Sequence, residues 1–430
     1  MKIVKKIRKK RRKLIRRFFK SPIKKRLAQY SKTHPRFRKC WKKILYTKRR
    51  IYYWWRGLGV TPDEKTVVFN SFNGKTYGCS PKAVYEYMLT QDEFKDWTFI
   101  WAFKNAKKHR FLEENPNTIV VKQTARVYEK KLIRAKYWIT NYRVPDHVWP
   151  QKDQVYVQCW HGTPLKRLGY DLETSENAID SIADIRKKYA MDAEKFNYIL
   201  SPSGFASEKF TSAWNLKETK MEDKVMEIGY PRNDFLINHT QEDIRMIKEK
   251  LEIPEDKKVI LYAPTWRDNQ HEAGTGFTYD LNVDFDALRQ ELGDEYVILF
   301  RVHYLVASKF SFDDYEGFIY NVSNYDDINH LYLIADLLIT DYSSVFFDYG
   351  ILKKPMLFYM YDLEDYKDSI RGFYFGIDKL PGKIITKEEE LPDAIRDSID
   401  NFVYDDKYRE FNETFSKRED GQASRRFVDW

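Results

Sequence analysis

His161 is a titratable side chain placed where a ligand would meet it. It lies in Gln158-Cys159-Trp160-His161-Gly162-Thr163-Pro164-Leu165-Lys166. An imidazole titrates near neutrality, at about 6.5 when unperturbed, so it can take up or release a proton there. The run Val155-Tyr156-Val157 before it reads as a short buried strand, and Gly162 and Pro164 break that strand. Lys166 to Gly169 read as the start of a helix. His161 is therefore expected just past the carboxyl end of a strand, where open α/β sheets bind ligands. Gly162 leaves room for another backbone or a ligand. A capped turn around a hydrogen-bonded histidine fits the same residues.

A second set of reactive types follows three later strands. Val259–Ala263 runs into Pro264-Thr265-Trp266-Arg267-Asp268, Tyr296–Phe300 into Arg301-Val302-His303, and Asp336–Ile339 into Thr340-Asp341-Tyr342-Ser343-Ser344. Parallel strands in one sheet would bring these loops to one edge. Hydroxyls and N–H groups of Ser343 and Ser344 at a helix start, with Arg301 or Arg267 as a bidentate clamp, suit a phosphate. A well-capped helix and a structural histidine are the plain alternatives. Asp284-Phe285-Asp286 has the look of a metal-binding acidic pair, but it precedes a helix pattern and reads as an N-cap. Three scattered cysteines, Cys40, Cys79 and Cys159, and eight histidines give no zinc spacing. Neither GxGxxG nor a Walker A loop is present. No cofactor and no metal is expected.

The elements that must carry these residues alternate. Strand patterns at Thr66–Asn70, Thr98–Phe103, Thr118–Val121, Tyr137–Thr140, Tyr198–Leu200 and Val225–Ile228 are interleaved with helical patterns. Ser203 is placed to cap one of those helices. Residues 240–257, polar and helical, look like a connection to a second alternating half. This order predicts doubly wound parallel sheets.

The chain has 430 residues and a net charge of +11, unevenly spread. Residues 1–56 hold 25 Lys and Arg with no Asp or Glu, and the remainder is net −14. Ile3, Ile7, Leu14 and Phe18 fall near one helical face of the arm, and Ile51-Tyr52-Tyr53-Trp54-Trp55 ends it. A cationic amphipathic helix with an aromatic belt suits an anionic membrane interface. Nucleic-acid binding and a plain solvated tail are the rivals. No run of 18 apolar residues predicts a membrane span, and no signal peptide is visible. The cysteine usage fits a reducing, cytoplasmic compartment.

The ordered pieces Ser71-Phe72-Asn73-Gly74, Trp160–Lys166, Ser201-Pro202-Ser203, Gly229–Asp234, Tyr262–Arg267, Arg301-Val302-His303 and Asp341–Asp348 resemble the CDP-glycerol glycerophosphotransferases of Gram-positive bacteria, which build teichoic acids. The resemblance covers residues 65–400. It implies a GT-B-like fold: two Rossmann-type domains facing across a cleft, behind a basic helical arm. It divides the chain into an arm (1–56), an acceptor domain carrying the base (57–240) and a donor domain for the CDP-polyol (241–430). It implies a peripheral, monotopic enzyme on the cytoplasmic membrane face, with an anionic membrane surface and a lipid-linked acceptor as partners and no nucleic acid.

The implied reaction is attack of an acceptor hydroxyl on the β-phosphate of CDP-glycerol, with CMP leaving. His161 takes the role of general base, and His303 that of charge stabiliser or acid. Gly162, Thr163, Ser203, Thr265, Arg267, Arg301, Asp341, Ser343 and Ser344 are the expected substrate contacts. Alternatives are a CDP-ribitol donor, a nucleotide-sugar glycosyltransferase of GT-B architecture, and a non-catalytic membrane-binding protein.

Overall fold

The computed structural model describes residues 30, 34–173, 181–265, 271–272, 276–277, 282–302, 312–364 and 372–430. Two units divide the chain: Met1–Val60 with Val144–Trp149, and Thr61–Arg143 with Pro150–Trp430.

Among the described residues of the first unit the main element is one helix, Pro35–Gly57, of 23 residues and about 35 Å. Pro35 at its first position supplies a fixed φ where no N–H is needed. It bears no acidic residue in its first turn and Arg56 in its last. Tyr53 is buried, and the Arg50 guanidinium lies 4.8 Å from the Trp149 ring centre. Ile44, Ile51, Trp55 and Leu58 are all exposed and recur along one face. The amphipathic pattern at residues 1–20 lies outside the described residues.

The larger unit holds two parallel sheets. The first comprises β1 (Asp63–Asn70), β2 (Thr98–Phe103), β3 (Thr118–Lys122), β4 (Ala135–Thr140), β5 (Val155–Gln158), β6 (Tyr198–Ser201) and β7 (Val225–Glu227), in the order β3-β2-β1-β4-β5-β6-β7. The second comprises β8 (Lys258–Ala263), β11 (Tyr296–Phe300), β12 (Ile319–Asn321), β13 (Leu337–Thr340), β14 (Met356–Tyr359) and β15 (Lys383–Ile385), in the order β12-β11-β8-β13-β14-β15. Between β8 and β11, β9 (His271–Glu272) and β10 (Gly276–Phe277) form a small antiparallel pair. Both main sheets follow the Rossmann order, with strand order reversing at β1/β4 and at β8/β13. The expected two-domain, GT-B-like architecture is what the chain adopts.

Both faces of these sheets are covered, which explains why the strands read as continuous apolar runs. Val259 and Leu261 enter one core layer while Ile260 and Tyr262 enter the other, as alternation along a strand requires. In the first sheet Val67, Phe69, Trp101 and Ile139 are buried under the helix Cys79–Thr90. Each fully buried side chain of this size contributes about 1.5–3 kcal/mol.

One local expectation changes. Lys166–Leu168 do not start an α-helix, and only a single 3-10 turn, Gly169–Asp171, follows them. Lys166 forms an isolated antiparallel bridge with Phe373, Arg167 N–H donates to the Gly372 carbonyl, and Leu165 accepts from Tyr374 N–H. The Leu168 N–H goes to the Tyr374 hydroxyl. A strap from the second half thus takes the backbone groups that a helix would need, and among the described residues the next α-helix starts at Ile182. The chain's end also crosses back. The helix Ala423–Asp429 packs on the Cys79–Thr90 helix, and Asp234 accepts from the N–H groups of Ala423 and Ser424. Phe427 and Val428 pack against the first sheet's core.

Candidate active site

Strand ends from both sheets meet at a cavity of about 170 Å³. Phe72 and Cys79 reach it after β1, His161 after β5 and Arg301 after β11. Asp326 to Asn329 follow β12, and Ser344, Val345 and Asp348 follow β13. Arg232, in the turn after β7, completes one wall.

Backbone strain gathers here. Phe72, Cys79 and Trp160 are all non-glycine residues at positive φ (45°, 61° and 51°). Such conformations persist only where surroundings impose them, and they collect at functional sites. Gly162 needs no positive φ. It is required by approach: a Cβ there would stand 3.1 Å from the Ser344 hydroxyl oxygen. Gly78 plays the same part, facing the Asp326 carbonyl at 3.2 Å.

His161 Nδ1 lies 3.3 Å from the Asn141 carbonyl oxygen. A carbonyl only accepts, so Nδ1 carries the hydrogen and Nε2 keeps its lone pair in the neutral ring. Burial among protein atoms lowers its pKa to about 4, with the Arg232 charge as second cause. The ring is nevertheless open to the cavity, so water screens part of that fall. The histidine is neutral at pH 7.

Arg301 directs Nη1 to the carbonyls of Val322 and Tyr325, and burial lowers its pKa. The helix after Ser344 is short, Val345–Tyr349, and the Ser344 side chain does not cap it. The capping alternative for Ser344 therefore loses its support, and its hydroxyl borders the cavity. The serine pair's expected helix end is a single turn, so its dipole is small. Asp341 acts as a brace: its Oδ1 accepts from Thr265 N–H at 2.8 Å and Tyr342 N–H at 2.6 Å, joining the loops at the β8/β13 switch point. Thr163 is buried beside the histidine turn. Ser203 is fully buried and caps the helix Gly204–Ala213 through Ala206 N–H, and it does not line the cavity. Asp284 likewise caps its helix, accepting from Asp286 and Ala287 N–H. Arg267 and His303 lie outside the described residues.

Sequence reasoning missed Phe72, Cys79, Arg232, Asp326, Asp327 and Asp348. The two acids of the loop are neutralised across the cavity. Lys82 Nζ pairs with Asp327 at 2.7 Å and Lys108 Nζ with Asp326 at 2.7 Å. Arg232 Nη2 reaches both oxygens of Asp348 at 2.9 Å. In all three pairs the cation comes from the first half and the anion from the second. The signal for Arg232 and Asp348 was present, since both stand inside conspicuous motifs, but nothing local says that they meet.

The family model for CDP-glycerol:poly(glycerophosphate) glycerophosphotransferases matches residues 56–430. The chain belongs to that family. It is 41% identical over 367 residues to the teichoic acid poly(glycerol phosphate) polymerase of Bacillus subtilis strain 168, covering 85% of this chain and 48% of that protein. It is 40% identical over 382 residues to the teichoic acid glycerol-phosphate transferase of Staphylococcus aureus, covering 87% of this chain and 95% of that one. The chain thus spans about half of the first relative and nearly all of the second. Among solved structures, that of the wall teichoic acid polymerase TagF superposes with a TM-score of 0.79 at 37% identity, over 90% of this chain and 94% of that one. Ribitol-phosphate enzymes are also similar, over shorter stretches, one being 37% identical over 212 residues.

Proposed function

We propose that the protein transfers glycerol phosphate from CDP-glycerol to a hydroxyl of a teichoic-acid-type acceptor and releases CMP. The observation that carries this reading is the contact of the His161 turn with Ser344, beside Arg301, at one cavity between two Rossmann sheets. His161 Nε2 accepts the acceptor's hydroxyl proton. The freed oxygen bonds to the β-phosphorus as the bond from phosphorus to the CMP oxygen breaks. CMP is a phosphate monoester with a second pKa of about 6, so it leaves with little acid help. Arg301, Ser343 and Ser344 stabilise the charge on the pyrophosphate. His303 and Arg267 are assigned to the same charge, with His303 as alternative acid. Thr265 and Asp341 support this loop edge, and Gly162 and Thr163 shape the histidine turn.

In this reading residues 57–240 bind the acceptor and 241–430 the donor. Glycerol is preferred over ribitol because the longer matches are to glycerol-phosphate enzymes. A nucleotide-sugar transferase would want a free carboxylate for sugar hydroxyls, and Asp326 and Asp327 are engaged by lysines. No helix among the described residues is long and apolar enough to cross a membrane. The exposed stripe of Ile44, Ile51, Trp55 and Leu58 on a basic helix is assigned to an anionic membrane surface, at the cytoplasmic face. Incubation with CDP-glycerol or CDP-ribitol and a lipid-linked acceptor analogue, with CMP release as readout, tests the reading. Release from CDP-ribitol alone would move the donor, and release from neither would reject the transfer.

A further inference from the structure

Arg232 is buried on a turn of the first half, yet its partners come mostly from elsewhere. Nη2 donates to both carboxylate oxygens of Asp348, on the helix that starts just after Ser344, and Nη1 faces Cys79 Sγ at 3.6 Å. The Arg232 carbonyl accepts from Asn329 Nδ2 of the second half. Asn233 Nδ2 bridges Asp348 and Glu419, at 3.0 and 3.1 Å. Glu419 belongs to the segment that crosses back, and burial followed by the Asp348 charge raises its pKa to about 8. That shift favours its neutral form, so the charges that face each other are Arg232 and Asp348. The same pair lies beside the point where a Cβ on Gly162 would stand 3.1 Å from the Ser344 hydroxyl oxygen.

We propose that Arg232 is a positioning residue for the transfer step: its pair with Asp348 seats the Ser344 segment against the Gly162 turn, and so fixes the distance between His161 and whatever the cavity holds. The idea rests on the transfer reading given above. Arg232 also bears on the base electrostatically. Charged groups at or near His161 are Arg232 and Arg143 on the first half, and Arg301, Asp326, Asp327 and Asp348 on the second. The acids are each paired, so removing Arg232 removes a cation that disfavours the imidazolium.

The test compares Arg232→Gln, Asp348→Asn and the double variant with the wild-type chain. The double variant replaces the ion pair by a neutral amide pair of shorter reach. Melting temperature, kcat and KM for CDP-glycerol, and the His161 titration by NMR (assigned with His161→Asn) are read in each. The expected double variant stays folded and loses about 100-fold in kcat with KM changed only a few-fold, while Arg232→Gln alone titrates His161 at higher pH. Wild-type kcat in a folded double variant would overturn the proposal. So would a loss confined to KM, which would make Arg232 a donor ligand. If these variants do not fold, Arg232→Lys decides. It keeps the charge but loses the fork, so full kcat overturns positioning, and reduced kcat at an unchanged melting temperature supports it. Failure of the wild-type chain to release CMP would reject the transfer reading, while the titration and melting arms would still judge the Arg232–Asp348 pair.

Discussion

Gly162 and Ser344, 182 positions apart in the chain, approach so closely that a single added methyl at Gly162 would stand 3.1 Å from the serine oxygen. One belongs to the loop after β5 of the first sheet, the other to the loop after β13 of the second. This contact joins the proposed base loop to the proposed donor loop. Gly162→Ala is expected to cut turnover by about tenfold, because it pushes the two loops apart by tenths of an ångström. Ser344→Gly in the same chain removes the oxygen and should recover part of any loss in melting temperature. Undisturbed kcat in Gly162→Ala would show that the loops have slack.

His161→Ala should lower CMP release by about 10²–10⁴-fold with the fold and donor binding retained. Near-normal release from the folded variant would remove His161 from the base role.

Ser343→Ala with Ser344→Ala is expected to weaken CDP-glycerol binding, measured by titration calorimetry, at an almost unchanged melting temperature. Ser344 does not cap its helix, so little helix stability is at stake. Unchanged affinity would take the serines out of the donor site.

Two groups with shifted titrations should give the pH–stability curve opposite slopes. Desolvation pushes His161 down toward about 4 from its ordinary 6.5, a fall that its opening to the cavity partly screens. The unfolded chain then binds more protons between those values, and stability falls as pH drops through that window. Glu419 titrates at about 8 in the fold, above its ordinary 4.5. Its contribution is complete below 4.5 and is lost as pH rises through 8. Thermal melts of Glu419→Gln should lose the alkaline slope and those of His161→Asn the acid slope. Retention of both slopes would assign them to other groups.

Replacing Ile51, Trp54 and Trp55 by Ser should reduce flotation with anionic vesicles at high salt, where charge attraction is screened but apolar insertion is not. These side chains are exposed, so the melting temperature should hold. Equal flotation of variant and wild type would place the membrane contact elsewhere.

Much of this protein was legible in the residues alone. Apolar runs of strand length ending in Gly, Pro, Ser or His are local facts, and they located the parallel strands, the His161 turn and the β13 loop. Ser203 and Asp284 as helix caps were equally local, since a cap bonds only two or three residues away. What the sequence could not decide were meetings between distant segments. Lys166–Gly169 has helical composition, but backbone groups of Gly372–Tyr374 satisfy it instead. Arg232 and Asp348 look like ordinary surface charges until folding buries them together. The final helix carries no mark that it returns to the first sheet. Local propensity decides which segments become strands and helices. Which charges lose water, and so must find each other, depends on tertiary burial, and that decided the walls of the cavity.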